Sequence, residues 1–364
     1  MFDLSDTEEG RMVREAAGRF AAECLAPAER AHEAAGAPAA SVREQARDMG
    51  LARIGWPQAL GGAELSLADE FEMLRVLASG DAGAALALSA PAPAGRALSA
   101  AGGVDAVRRH LCGLPADAGV WLHVDADAGL AIADGCISGA IPWLPVARLD
   151  CLLIARPDGL SVVRAGCDCT PVPGGGLRAA GAVGVTLERA PVAEHWPDPG
   201  VAVRATAYAR LYVVALMVGQ MQAAFEHARA YALERVAFGK PIAHHQALAF
   251  LMTDMRAAID ASRLMGLEAA SRDARVEADE FERAAAQAYL EAAEAGMFVG
   301  PNAVQILGAA GFMQDHPVEK AMRELRALGL LAGGVDAARN ALNRLPVPDA
   351  GSGFWLALDP EAAA

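Results

Sequence analysis

The chain has 364 residues, enough for two or three domains, and 54% of them are hydrophobic, so a large buried core is expected. Its formal net charge is −14 and no dense Lys/Arg block is present, which argues against nucleic acid and against an anionic membrane surface as partners. A local cluster such as Arg235 with Lys240 still leaves room for a phosphorylated ligand.

The start, MFDLSDTEEG, is acidic and lacks the charged-then-apolar layout of a signal peptide. No run of about 18 apolar residues is free of charges or breakers, so no membrane span is expected. The six cysteines (24, 112, 136, 151, 167 and 169) form no Cys-x-x-Cys pair and read as reduced, mostly buried thiols. Together these features predict a cytoplasmic protein. Much of the apolar excess is alanine, which favours closely packed helices.

Residues 1–115 read as an N-terminal helical domain. Ser5-Asp6-Thr7-Glu8 has the form of a helix start, and Val13, Ala17, Phe20 and Cys24 follow at helical spacing. A second helical pattern runs from Asp69 to Leu77. Between them, Gly55-Trp56-Pro57 and Leu60-Gly61-Gly62 punctuate a loop.

From 118 to 197 short apolar runs appear at 119–122, 151–154, 160–163 and 183–187, separated by Asp-Gly pairs and by Pro173-Gly174-Gly175-Gly176. That spacing predicts a small antiparallel β domain, sandwich-like or barrel-like. After Trp196-Pro197-Asp198-Pro199-Gly200 the helical period returns. Val214, Val218, Met221 and Phe225 share one stripe, and Leu248, Met252, Met255 and Ile259 share another. A third helix is expected over roughly 276–299 and a fourth from about 317. Residues 203–345 therefore read as a C-terminal four-helix bundle, with 346–364 a tail. The fold class is α+β.

ERVAFGKPIAHHQALAF (234–250) concentrates an arginine, a lysine, two histidines and a glutamine at one helix junction. His244 and His245 are adjacent, so on a helix they point about 100° apart and cannot share a metal. No carboxylate or cysteine stands at ligand spacing, and no metal is expected. The basic residues have another use. Gly239 permits a tight turn, Pro241 suits the loop, and the free N–H groups of the next helix suit a phosphate or pyrophosphate beside an arginine fork. An ordinary solvated helix junction would have the same composition.

The stretch ALERVAFGKPIAHHQALAFLMTDM (232–255) resembles the R-x-x-FGK…HQ hallmark of the acyl-CoA dehydrogenase family. NAVQILGAAGFMQDHPVEKAMRELRAL (302–328) resembles that family's second signature, in order and spacing. Upstream, 49–83 is similar to its N-terminal helical domain and 176–192 to the strand and turn before its bundle. The resemblance implies the α–β–α acyl-CoA dehydrogenase fold. It also implies flavin adenine dinucleotide (FAD) as cofactor, an acyl-CoA thioester as substrate, an electron-transfer protein as acceptor, and tetramers built on the C-terminal bundle. Carried onto this sequence, Arg235, Phe238, Gln246 and Gln305 would hold the adenine-diphosphate half of a neighbouring subunit's flavin.

Other positions depart from the family. Its glutamate base, which removes the α-proton while flavin takes a hydride from Cβ, lies about a dozen residues after PVEK. Here that run is LLAGGVDAARN (330–340), and the slot holds Ala332. Relatives that place the base before a retained arginine, here Arg210, would use the position of Ala209. The Trp-x-Thr flavin contact is reduced to Trp143-Leu144-Pro145, Ala237 replaces the threonine beside the clamp arginine, and HVDADAGLAIADG (123–135) stands in place of the glycine-rich cover segment. Asp336 is the weak substitute base, and Glu319 reads as a structural partner of Arg323.

Loss of the base beside retention of the clamp implies the FAD-clamping subunit of a mixed tetramer with a homologous acyl-CoA dehydrogenase chain. The family's paired-gene members that act on steroid-side-chain thioesters offer an analogy. Two other readings remain: a homotetramer using Asp336, and a flavin-free acyl-CoA-binding or scaffold protein.

Overall fold

The computed structural model describes residues 7–115, 117–126, 128–273 and 276–344. The 346–364 tail and the Ser5-Asp6 part of the first helix signal lie outside the described residues.

The N-terminal region is helical: α1 (Glu8–Phe20), α2 (Glu29–Ala35), α3 (Ala40–Asp48), α4 (Leu67–Ala78), α5 (Ala82–Ser89) and α6 (Pro91–His110). Local chemistry sets several starts. Thr7, Ser66 and Asp81 each accept a backbone N–H in the first turn of α1, α4 and α5.

The β region holds β1 (Val120–Val124), β2 (Ala131–Ala133), β3 (Cys136–Leu144), β4 (Cys151–Arg156), β5 (Gly159–Val163), β6 (Cys167–Pro171) and β7 (Val183–Trp196), in the order β1-β4-β5-β7-β3-β2 with β6 also on β7. The long β7 joins two halves. Its first part pairs with β3 and β6 and its last part with β5, the change of partner falling between Pro191 and Val192. One expectation is corrected: β1 pairs with β4 in parallel, because the β2–β3 hairpin intervenes between them in the chain. Strands β2, β3 and β6 were not legible, since β2 has only three residues, Gly139 and Pro142 interrupt β3, and β6 carries Asp168, Thr170 and Pro171. The thiol expectation is also corrected. All six cysteines are free, but only Cys151 is buried.

The C-terminal region comprises α7 (Pro199–Glu234), a two-strand turn β8 (Val236–Ala237) and β9 (Lys240–Pro241), α8 (Gln246–Ala270), α9 (Ala278–Leu307), α10 (Val318–Leu328) and α11 (Gly334–Arg344). Helix α7 is its axis. It is long and apolar enough to cross a membrane by length and composition, but it is mostly buried and packs on α4, α6, α8, α9 and α10. The predicted α7 stripe is inside, with Val214, Val218, Met221 and Phe225 buried; of the α8 stripe Met255 and Ile259 are buried and Leu248 and Met252 half-buried.

Two helix limits differ from expectation. Helix α9 runs through Pro301, with Gly300 so close to Met322 of α10 that an added Cβ would lie 3.1 Å from its Cα. Tertiary packing thus overrides the proline break. The fourth long helix is instead two 11-residue helices, because Ala332, Gly333 and Gly334 all take positive φ.

A buried charge cluster ties the regions together. Lys320 of α10 donates to Asp81, which caps α5, and to Glu324, each at 2.8 Å, and His32 of α2 lies 3.5 Å from Asp81. All four side chains are buried. Burial opposes the Lys320 charge, but Glu324 and Asp81 outweigh it and hold its pKa above the usual lysine value. Burial pushes the Glu324 carboxyl up to about 7, since one lysine cannot neutralise two acids in one dry pocket.

A glutamate whose folded pKa is about 7 against an ordinary 4.5 contributes stability that is full below the lower value and lost as pH rises through the upper. Glu324→Gln should therefore equal its parent in stability near about pH 5 and exceed it near about pH 8.5. Denaturant midpoints at the two pH values check this. A variant weaker than its parent at alkaline pH would show Glu324 working as an ionised partner instead.

Candidate functional site

The junction between α7 and α8 is a tight hairpin. Val236 pairs with Pro241 and Ala237 with Lys240, so Phe238 (φ 53°) and Gly239 (φ 80°) form the two turn residues. A left-handed conformation is ordinary for Gly239 but strained for phenylalanine, at a cost of roughly 1–2 kcal/mol. The strained ring is also 97% exposed, where burial returns nothing. Strain with exposure points to use of that ring by something outside the chain.

The rest of the junction divides into structural and unspent groups. His245 caps α8, and its Nε2 donates to the Ala237 carbonyl oxygen at 3.1 Å. Lys240 Nζ donates to the His244 carbonyl at 2.9 Å. Both are therefore committed to the turn. Arg235 is exposed, and its guanidinium meets no acceptor among the described residues. Gln246 opens α8 and is exposed, as is Gln305 near the end of α9.

These two helix ends meet at one end of the bundle. The His316 ring, four residues beyond Phe312, lies 5.2 Å from His227 and 6.0 Å from Tyr231, one turn before Arg235. The same end exposes Val236, Phe250, Phe312 and Met313. An apolar patch mixed with an unpaired arginine fits coverage by another molecule.

The two positions at which the resemblance implies a base lie elsewhere. Ala332 (φ 52°) sits in a loop fixed from below by Tyr289, whose hydroxyl is 2.9 Å from the Gly329 carbonyl and 2.8 Å from that of Leu331. Ala209 is buried in α7. Asp336 stands in the first turn of α11 with its side chain 97% exposed, facing Arg339 at 3.9 Å. It has the place of a solvated helix-terminus acid. Glu319 pairs with Arg323 at 2.8 Å as expected, and also with Arg30.

In the β region Trp143 is half-buried on β3, next to the irregular pairing between Ile141 and Leu144. Asp125 closes the 123–135 segment on itself, accepting from the Gly129 and Leu130 N–H groups and from Arg156. Between α4, α6 and α7, Tyr208 and Tyr212 leave a void of about 10 Å³, and Tyr212 is bonded to Ser89 at 2.9 Å.

One acid was missed. Glu282 of α9 is buried and pairs with Arg210, and burial pushes it up to about 7 despite that charge. Its neighbours Phe281 and Ala284–Ala286 are apolar, but Arg283 interrupts them, so the sequence does not mark Glu282 as an interior position. It lines none of the cavities described here, so the arrangement makes it a buried structural acid.

Residues 7–114 match the model of the acyl-CoA dehydrogenase N-terminal domain, and residues 200–344 that of the C-terminal domain. A probable acyl-CoA dehydrogenase of Bacillus subtilis is 29% identical over 379 aligned positions, covering 93% of this chain and 98% of the relative. Among solved structures, PigA with FAD and proline superposes with a TM-score of 0.81 at 19% identity, over 94% of this chain and 98% of that one. A chain of the ChsE4–ChsE5 complex from Mycobacterium tuberculosis gives 0.79 at 22% identity, over 94% and 98%.

Proposed function

Because this chain belongs to the acyl-CoA dehydrogenase family of oxidoreductases, we propose that it is the flavin-clamping subunit of a mixed acyl-CoA dehydrogenase tetramer. A homologous chain supplies the catalytic glutamate. The observation that carries this is the contrast between two sets of residues. Both base positions hold methyl groups, at Ala332 and Ala209, while Arg235, Phe238, Gln246 and Gln305 are exposed at one end of the bundle.

FAD fits the second set better than the first. The Arg235 guanidinium would neutralise the pyrophosphate, with Phe238 and the amides of Gln246 and Gln305 completing the hold on the nucleotide half. Exposure of all four suits a cofactor seated mainly in a neighbouring chain. Near Trp143 the family's hydroxyl contact is missing, and Pro145 offers no N–H donor. When bound, the flavin supplies the acceptor for the hydride leaving the acyl Cβ. The proton from Cα needs a carboxylate, and at positions 332 and 209 this chain offers methyl groups. The ChsE4–ChsE5 pairing seen in a structural neighbour supports an assembly of two different chains. An acyl-CoA substrate and an electron-transfer acceptor follow from the family.

Acyl-CoA-dependent reduction of an artificial electron acceptor tests the proposal. The chain alone should give no turnover, and the chain co-expressed with a homologous subunit should give it. Brisk turnover by the chain alone would favour the homotetrameric enzyme, and none with any such subunit the scaffold.

A further inference from the structure

A cavity of about 410 Å³ opens where the N-terminal helices meet the β region. That volume lies within the range of small-ligand sites, about 300–1,000 Å³. Arg235, Phe238, Gln246, Gln305, Trp143, Ala332 and Ala209 do not line it, so it is separate from the nucleotide clamp, and Pro145 is the position it shares with the flavin-contact run. Trp56, Leu88, Leu111 and Val146 supply buried apolar surface to its interior.

The walls are close-packed backbone. A Cβ on Gly119 would lie 1.8 Å from the Arg148 carbonyl oxygen, and one on Gly181 would lie 2.7 Å from the Ala147 Cα. The space therefore persists beside strands and turns that already touch, and is not a gap between loose loops.

Charge is distributed unevenly around it. Arg43, Arg47, Arg53 and Arg148 all line the cavity, against a single acid, Asp117, in a chain of net charge −14. Two of the four are occupied. Arg148 binds Asp150 at 2.6 Å and Asp117 at 3.3 Å, and Arg43 donates to the Pro38 carbonyl. Arg47 and Arg53 have no acid partner among the described residues, and Arg53 lies 5.4 Å over the Trp56 ring. Stacking on the indole restrains that guanidinium beside the apolar interior. An apolar chamber with two unneutralised guanidiniums complements a molecule that is apolar at one end and anionic at the other.

We propose that this cavity binds a small amphiphile with one anionic head, its apolar body against Trp56, Leu88 and Val146 and its head on Arg47 and Arg53. The site stands whether or not the chain clamps a flavin.

Calorimetric titration of the purified full-length chain with octanoate, octyl phosphate and octan-1-ol tests it. Saturable binding of at least one of the two anions is expected, weakened about tenfold or more by the Arg47→Ala/Arg53→Ala double variant. The uncharged alcohol should bind more weakly than that anion, and the anion that binds better identifies the head group. Arg47 and Arg53 are exposed, so the variant is expected to keep the parent's melting temperature. Arg235→Ala should leave this binding unchanged, which separates it from the nucleotide clamp. No saturable binding of either anion at millimolar concentration, or equal binding to the double variant, overturns the proposal.

Discussion

Replacing Lys320 with methionine should destabilise the protein by about 3–5 kcal/mol, the usual consequence of stranding buried charge. The ammonium holds Asp81 and Glu324 at 2.8 Å each, and all three side chains are inaccessible to solvent. Without it, burial would penalise the Asp81 carboxylate, which now stays below its usual range through the polar His32 ring, Lys320 and the Ala84 N–H. Neutralising the acids as well, in Lys320→Met with Asp81→Asn and Glu324→Gln, should recover most of the loss. Thermal and denaturant unfolding of the single and triple variants measures this. A single variant within about 1 kcal/mol of its parent would mean that the cluster does not lock the helical regions together.

The second large effect concerns the clamp. In the mixed assembly, Arg235→Ala should weaken flavin retention about tenfold to a hundredfold, the range expected for loss of charge-assisted bonds to a pyrophosphate. The fold should be unaffected, because the guanidinium is exposed and contacts no acceptor among the described residues. Phe238→Ala should lower retention too at unchanged stability, because the lost ring is exposed and alanine keeps the Cβ that strains the turn. That combination separates a recognition residue from a packing one. Flavin absorbance after gel filtration, beside a melting curve, reads both. Unchanged retention in Arg235→Ala would refute the role given to this residue.

The α, then β, then α order was legible because periodicity reports burial. The stripe Val214–Phe225 and the runs at 151–154 and 160–163 each show the face they hide. What failed depends on partners distant in sequence. Nothing in Val120–Val124 tells that its neighbour is Cys151–Arg156 in parallel, and Pro301 reads as a break until α10 is seen packed against it. The PVEK motif was legible in part, since the Glu319–Arg323 pair was expected and the partners distant in sequence were not. Its Glu319 and Lys320 serve ion pairs between regions, with Arg30, Arg323 and Asp81, and not chemistry. Composition told least about Phe238 and Glu282. An exposed phenylalanine and a buried glutamate each invert the usual rule, and only the folded chain reveals it.

Flavin counted per polypeptide, in the chain purified alone and in the assembly with its homologous subunit, tests the central claim most directly. The account predicts a colourless isolated chain and an assembly that carries flavin, fewer than one for each polypeptide present. One flavin per polypeptide in the isolated chain would contradict it.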